Sequence, residues 1–244
     1  SMFQAGGAVI AGNKVNMDVT KLTNTGGTIE GKDTLDIVSK GNITNTSGTI
    51  KGGDVSLTST LGSIVNETWN KFTGDDSNGG TSIGKTGKIE STGNLNLDAK
   101  RDITNKGADM TAGGNANLKA GDDITFDTIV DKKAKTTEST SGGVFSSSTT
   151  STNEVTSKNI GSNLKVGGNL KTDSGKDTTI RGSNVDVTGD GDMKAGGNLN
   201  ILDVQDENRV VTTTSTSGVG VGGGVIDRLR QLQPQVRRQR ETRR

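Results

Sequence analysis

Thr86 to Asn105 reads TGKIESTGNLNLDAKRDITN. It places Ile89, Leu95, Leu97 and Ile103 in short runs of alternating polar and apolar residues, punctuated by Gly, Asn and Asp. Alternation with period 2 predicts strands. Each run is too short and too polar to bury a face alone. The same phrase recurs at similar offsets through most of the chain, so its reading decides the fold.

The composition agrees. Apolar residues make up 27% of the 244 residues and aromatics 2%, with no Tyr, one Trp and one Pro. That is too little apolar material for a globule with a thick core. A disordered chain would pair low hydrophobicity with high net charge. Here the formal net charge is +1 and the apolar residues are periodic, so a thin repetitive core is expected. Many of the 37 glycines fall at a recurring phase, which marks them as turn residues. There is no Cys, so no disulfide contributes to stability. No stretch approaches the roughly 20 apolar residues that span a bilayer as a helix. Ser1-Met2 reads as the artificial start of a piece cut from a longer chain, and no signal peptide is visible at the N-terminus.

The period is about 21 residues. The first apolar position of each unit gives the column Val9, Ile29, Ile50, Ile89, Met110, Leu164 and Val185. A second group follows as pairs: Val15/Met17, Leu35/Ile37, Val55/Leu57, Leu95/Leu97 and Ala116/Leu118, with Leu170/Thr172 and Gly191/Met193 as degenerate versions. A third column holds Leu22, Ile43, Ile64, Ile103, Ile124, Ile180 and Leu199. Three short strands per 21 residues predict an all-β solenoid, a parallel β-helix whose coils bury their apolar edges by stacking like on like. At the spacing of hydrogen-bonded strands, seven coils extend roughly 35 Å.

Asn24, Asn45, Asn66 and Asn105 fall at one phase, two residues after the third column. This predicts either a ladder of amides, each bonding the next, or a set of independent turn residues.

Two stretches break the period. The first, residues 67–85, holds Trp69 and Phe72. It reads as an exposed loop whose aromatics touch a partner, or as one whose aromatics fold back on the solenoid. Its run Asp75 to Gly80 lacks the spaced ligands and closing Glu of a calcium loop. The second, residues 128–160, is rich in Ser and Thr and contains Phe145. It reads as a polar two-stranded hairpin turning at Gly142-Gly143. TTESTSGGV at Thr136 returns as TTTSTSGVG at Thr212, 76 residues on, so a partial second Ser/Thr insertion is expected over 207–224. The β-helix is therefore bounded at residues 5–224. The tail 225–244 carries seven Arg and reads as a short helix or an unstructured basic segment, a solvated end or a cap.

The chain has no His and no Cys, which excludes His- or Cys-based nucleophilic machinery and ordinary zinc sites. No phosphate loop is present, and Gly222 to Gly224 matches no dinucleotide fingerprint. Carboxylates remain. Asp122-Asp123, Asp190/Asp192 and Asp102 beside Arg101 invite comparison with β-helix polysaccharide-cleaving enzymes. Their recurrence as turn punctuation (KAGDDI, KRDI, SGKDT) suits architecture better than a single site. No catalytic residue, metal or cofactor is assigned.

GGNLNI, AGDDIT, KRDITNKG and GSNV, with SSSTTST after Val144-Phe145, resemble the repeats of filamentous-haemagglutinin-type exoproteins, including effectors of contact-dependent growth inhibition. The resemblance covers about residues 5–224. It implies a right-handed parallel β-helix from a protein exported through an outer-membrane two-partner transporter and displayed at the bacterial cell surface. The Ser/Thr-bearing repeats are similar to the family's second repeat block, which is associated with toxin delivery. The VENN pretoxin motif, a toxin and a secretion domain are not seen, and the Arg-rich tail departs from the family pattern.

The expected function is a structural filament segment for adhesion or contact-dependent toxin delivery, without catalysis. The alternatives are a β-helix carbohydrate-active enzyme, and a glycan- or receptor-binding module using Trp69, Phe72 or Phe145. The partners expected are the transporter, a target-cell receptor, and a second copy through exposed strand edges at the coil ends; nucleic acid is not expected.

Overall fold

The computed structural model describes residues 7–219, 225–231 and 235–239. The chain divides into two compact units. One takes the chain up to Asn70, Ile83–Ile129 and Ile160–Val204; the other takes Lys71–Ser82, Val130–Asn159 and the chain from Gln205 onward.

Among the described residues the first unit is a parallel β-helix of seven coils. Its three apolar columns are the inward positions of stacked, parallel strands. Ile29, Ile50, Ile89, Met110, Leu164 and Val185 are successive partners in register. So are Leu35, Val55, Leu95, Ala116, Leu170 and Gly191 on the second side. The reason is the pleat. With side chains alternating faces, a one-residue slip would turn every apolar side chain outward, so the apolar pattern fixes the register. Ile37, Ile50, Leu57, Ile64, Leu95, Ile103 and Met110 are fully buried, and the core is a single stack of such residues.

Two column members differ from the sequence reading. In the first coil the column residue is Ile10, paired with Ile29, and Val9 pairs with Thr28. In the sixth coil Thr178 occupies the third column opposite Ile124, and Ile180 sits one inward step on, opposite Phe126. In both coils the strand register, not local apolarity, decides which residue joins the column. The first three coils also join their first two sides into long strands, Val9–Val19, Thr28–Ser39 and Thr49–Ser59. A register irregularity at Gly12/Lys14 and Gly31/Thr34 turns those corners. From Lys88–Ser91 onward the sides are separate strands.

One corner of the coil requires a left-handed residue. Gly26, Gly107 and Gly182 hold φ of 67°, 58° and 54°, and Ser47 holds 50°. Each lies two residues after the inward position that carries the Asn column. At the same step, the third and fifth coils carry Thr68 and Thr128. β-branched residues disfavour that conformation, and there the chain leaves the β-helix.

The second unit collects these departures. Its sheet contains, in order, Asn70–Gly74, Gly79–Ile83, Ile129–Gly143, Ser146–Ile160 and Asp206–Val219, followed by Val225–Gln231, with Gln235–Gln239 also on Asp206–Val219. The Ser/Thr segment is a hairpin, but it turns at Val144-Phe145 rather than at Gly142-Gly143. Gly142 serves close cross-strand approach instead: a Cβ there would lie 2.3 Å from the Ser146 carbonyl oxygen. The tail is neither helical nor without structure where it is described. Val225–Gln231 and Gln235–Gln239 are strands that run antiparallel to Asp206–Val219 as a return strand, pairing Val219 with Val225 and Asp206 with Gln239. The helical spacing of Ile226 and Leu229 is overridden by pairing with a β-prone Thr-rich strand. Residues 1–6, 220–224, 232–234 and 240–244, with the readings made on them, lie outside the described residues.

Candidate functional site

No group of three or more carboxylates among the described residues is placed to hold a metal ion. The polar residues that recur in the sequence are instead engaged between coils, at all three corners.

At the first corner the four asparagines stack inside the β-helix. Asn24 Nδ2 donates to Asn45 Oδ1, Asn45 to Asn66 and Asn66 to Asn105, each at 2.9 Å. Each amide also donates to backbone: Asn24 to Gly27 O, Asn45 to Gly48 O at 2.9 Å, Asn66 to Asp109 O at 3.0 Å and Asn105 to Ala108 O at 3.0 Å. Asn45, Asn66 and Asn105 are fully buried, where an unpaired amide would be costly. Beyond Asn105 the same inward position holds Phe126, Ile180 and Ile201, so the column changes from amide to apolar midway along the stack.

The other two corners carry a different device. A side-chain oxygen of one coil accepts the backbone N–H of the next. Asp54, Asn94, Asn115 and Asn169 receive the amides of Asn94, Asn115, Asn169 and Asp190. At the third corner Asn42, Ser63, Asp102, Asp123 and Asp177 receive those of Ser63, Asp102, Asp123, Asp177 and Asn198. Asp102 and Asp123, the carboxylates weighed as catalytic, are thus consecutive rungs, with Asp102 Oδ1 3.0 Å from Asp123 N. A short side-chain acceptor close to the backbone satisfies an N–H that a turn would leave free. That is why Asp and Asn are interchangeable in these columns.

Buried hydroxyls close the β-helix where the chain departs. Thr68 Oγ1 donates to Gly107 O at 2.7 Å and accepts Gly87 N–H at 3.0 Å, and Gly84 N–H bonds Trp69 O at 2.8 Å. At the second departure Ser162 Oγ lies 2.8 Å from Asn105 O and 2.7 Å from Asp127 O. These residues carried no periodic signal. The legible sign was Thr68 or Thr128 in the corner position that otherwise favours Gly.

Trp69 is half-buried and belongs to the first unit, whereas Phe72 belongs to the second. Phe72 is 36% exposed and packs its ring under the Lys132 ammonium, 5.0 Å from the centroid. Phe145 is 75% exposed and Val144 92%, together at the hairpin turn. Between these aromatics the loop Asp75–Asn78 is tied across three strands of its sheet. Asp76 Oδ1 lies 2.6 Å from Lys132 Nζ and its Oδ2 3.9 Å from Arg209, while Asn153 Nδ2 donates to Asp76 O at 2.7 Å. The hydrogen bond and charge of Lys132 hold the Asp76 carboxyl below its ordinary value of 3.8. Asp75 Oδ1 accepts the N–H groups of Ser77 and Asn78, which fixes the loop.

A sequence profile described as hemagglutinin repeat matches residues 72–219, more than half of the chain. The chain belongs to the hemagglutinin repeat family. The match takes in the fourth to seventh coils and the Ser/Thr segments, so the hemagglutinin repeat here comprises both coil and departing hairpin. No curated protein and no solved structure matches the chain. The three departures of this hemagglutinin repeat protein leave from equivalent positions, after Glu67, Asp127 and Leu202, on the third, fifth and seventh coils. The 76-residue spacing of the Ser/Thr phrases is two coils plus one hairpin.

Proposed function

We propose that this chain is a structural segment of a large secreted bacterial surface exoprotein, exported through an outer-membrane partner barrel and serving adhesion or contact-dependent toxin delivery. The observation that carries the reading is the hemagglutinin repeat match over residues 72–219, joined to a β-helix whose recurring Asn and Asp side chains are spent on inter-coil bonds. Physics supports export of this kind. A chain with no Cys and few bulky side chains passes a narrow pore unfolded. It then folds coil by coil, because each coil contacts only its neighbours.

The test is surface accessibility in the producing organism. Antibodies against residues 136–152 are expected to label intact cells, and external protease to remove the epitope. Labelling only after lysis overturns the proposal. Deleting the repeats then separates the two roles: loss of attachment marks adhesion, while loss of killing with attachment intact marks delivery.

A second reading, a receptor- or glycan-binding module, is favoured by the exposed Val144-Phe145 turn. Val144→Ser with Phe145→Ser is expected to reduce target-cell binding with the fold intact on that reading. Unchanged binding sinks it.

A further inference from the structure

Asn78 is the only asparagine in the chain followed by Gly. It closes the loop between the strands Asn70–Gly74 and Gly79–Ile83. Asp75 N–H donates to the Asn78 carbonyl at 3.2 Å, and Asp75 Oδ1 accepts the Ser77 and Asn78 N–H groups, each at 2.9 Å. The backbone of Asn78 is thus held, while its side chain is exposed and, among the described residues, makes no hydrogen bond. Asparagines inside the β-helix differ on both counts. Asn45, Asn66 and Asn105 are buried with their amides bonded, and Thr, Glu and Lys follow them.

Glycine at 79 is not free to vary. A Cβ there would lie 2.6 Å from the Phe72 ring, 2.7 Å from the Asp75 carbonyl oxygen and 2.9 Å from that of Thr73. Two of those atoms are backbone and cannot yield, so close packing of the hairpin keeps the least hindered residue directly after Asn78. With no Cβ beside it, the Gly79 nitrogen is open to the neighbouring carboxamide. On losing its proton, that nitrogen can attack Asn78 Cγ. The new N–Cγ bond closes a succinimide ring, the Cγ–Nδ2 bond breaks, and the proton taken from Gly79 goes to the departing ammonia. Water then opens the ring at either carbonyl, leaving Asp or isoaspartate at position 78. The sequence needs no oxidant, reductant or cofactor.

We infer that Asn78-Gly79 is a self-modification site, where the chain deamidates through a succinimide and thereby loosens its first departing hairpin. Either product adds a carboxylate to a loop that already holds Asp75 and Asp76, and Asp76 is the group that bonds Lys132. Isoaspartate does more. It routes the main chain through the former side chain, which inserts one extra carbon just before Gly79, the residue that pairs with Ala134. The carbonyl that accepted Asp75 N–H becomes a free carboxylate branch, so the bond that closes the loop is lost. The pairing of Gly79–Ile83 with Ile129–Gly143 is weakened, and the coils keep their own bonds.

Timed incubation of the purified chain at mildly alkaline pH, followed by proteolysis and peptide mass spectrometry, tests this. The peptide carrying Asn78 is expected to show the mass of an amide-to-carboxylate exchange before any other asparagine-bearing peptide, and to become a substrate for an isoaspartate-specific methyltransferase. Its rate is expected to rise with pH, since the attacking nitrogen must first lose a proton. Amide exchange in Gly74–Ile83 is expected to accelerate in the aged chain while coil amides hold. Asn78→Gln, whose longer side chain closes the ring far more slowly, is expected to abolish both changes with circular dichroism unchanged. Asn78 staying intact in the folded chain, or converting no faster than the other asparagines, would overturn the site. Equal exchange in fresh and converted chain would overturn the loosening of the hairpin.

Discussion

Asn66 accepts from Asn45 and donates to Asn105 and Asp109 at zero exposure, so it has no spare partner in water. Replacing it with Ala strands an amide N–H on one side and a carbonyl on the other. The expected cost is about 2–4 kcal/mol of unfolding free energy, read from urea titration. Thr172 predicts the opposite sign. It occupies an inward position between Leu118 and Met193, 2% exposed, with an Oγ1 that finds no hydrogen-bond partner. Thr172→Val removes the unsatisfied hydroxyl at nearly constant shape and is expected to stabilise by about 1 kcal/mol. If both substitutions destabilise alike, the inward polar positions are not distinguished by their partners. The Asn column was legible because four residues share one phase. The corner ladders of Asp, Asn and Ser were seen only as punctuation. Their identity varies from coil to coil, since the requirement is an oxygen at the right reach and not a particular side chain.

The first departure from the β-helix is held by charge as well as by the pairing of Gly79–Ile83 with Ile129–Gly143. Asp76 bonds Lys132 and faces Arg209, and its carboxyl is held below 3.8. A depressed folded pKa means that the pairing contributes fully above the unfolded value and is lost as pH falls through the folded one. Asp76→Asn removes the charge at every pH. Amide exchange in Gly74–Ile83 is therefore expected to accelerate in the variant at neutral pH, and in the wild type only in acid, with coil amides unchanged in both. Equal exchange in variant and wild type at neutral pH would show that the loop does not depend on Asp76. At this scale the sequence is a weaker guide. Period 2 and Ser/Thr content mark the hairpin but not its turn, because Gly142 answers a cross-strand approach and the turn falls on Val144-Phe145. The basic tail is misread for a related reason. Local helical spacing in Val225–Gln231 yields to a long partner strand that the sequence does not place beside it.

Among the described residues, seven coils each advance by about 4.8 Å, and the chain departs after the third, fifth and seventh. The coil was legible from its apolar columns because a β-helix enforces register over long sequence distances. The common sheet of the departures was not, since its strands come from three stretches separated by whole coils. The central claim is that residues far apart in sequence stack as rungs of one column. Thr44, Val65, Thr104, Thr125 and Thr179 are outward members of such a column, four coil steps from end to end. The chain has no native Cys, so spin labels at Thr44→Cys and Thr179→Cys report that distance alone. Pulsed dipolar spectroscopy is expected to give one narrow distribution near about 19 Å, four strand spacings. A broad distribution, or one centred beyond about 35 Å, would contradict in-register stacking of the coils.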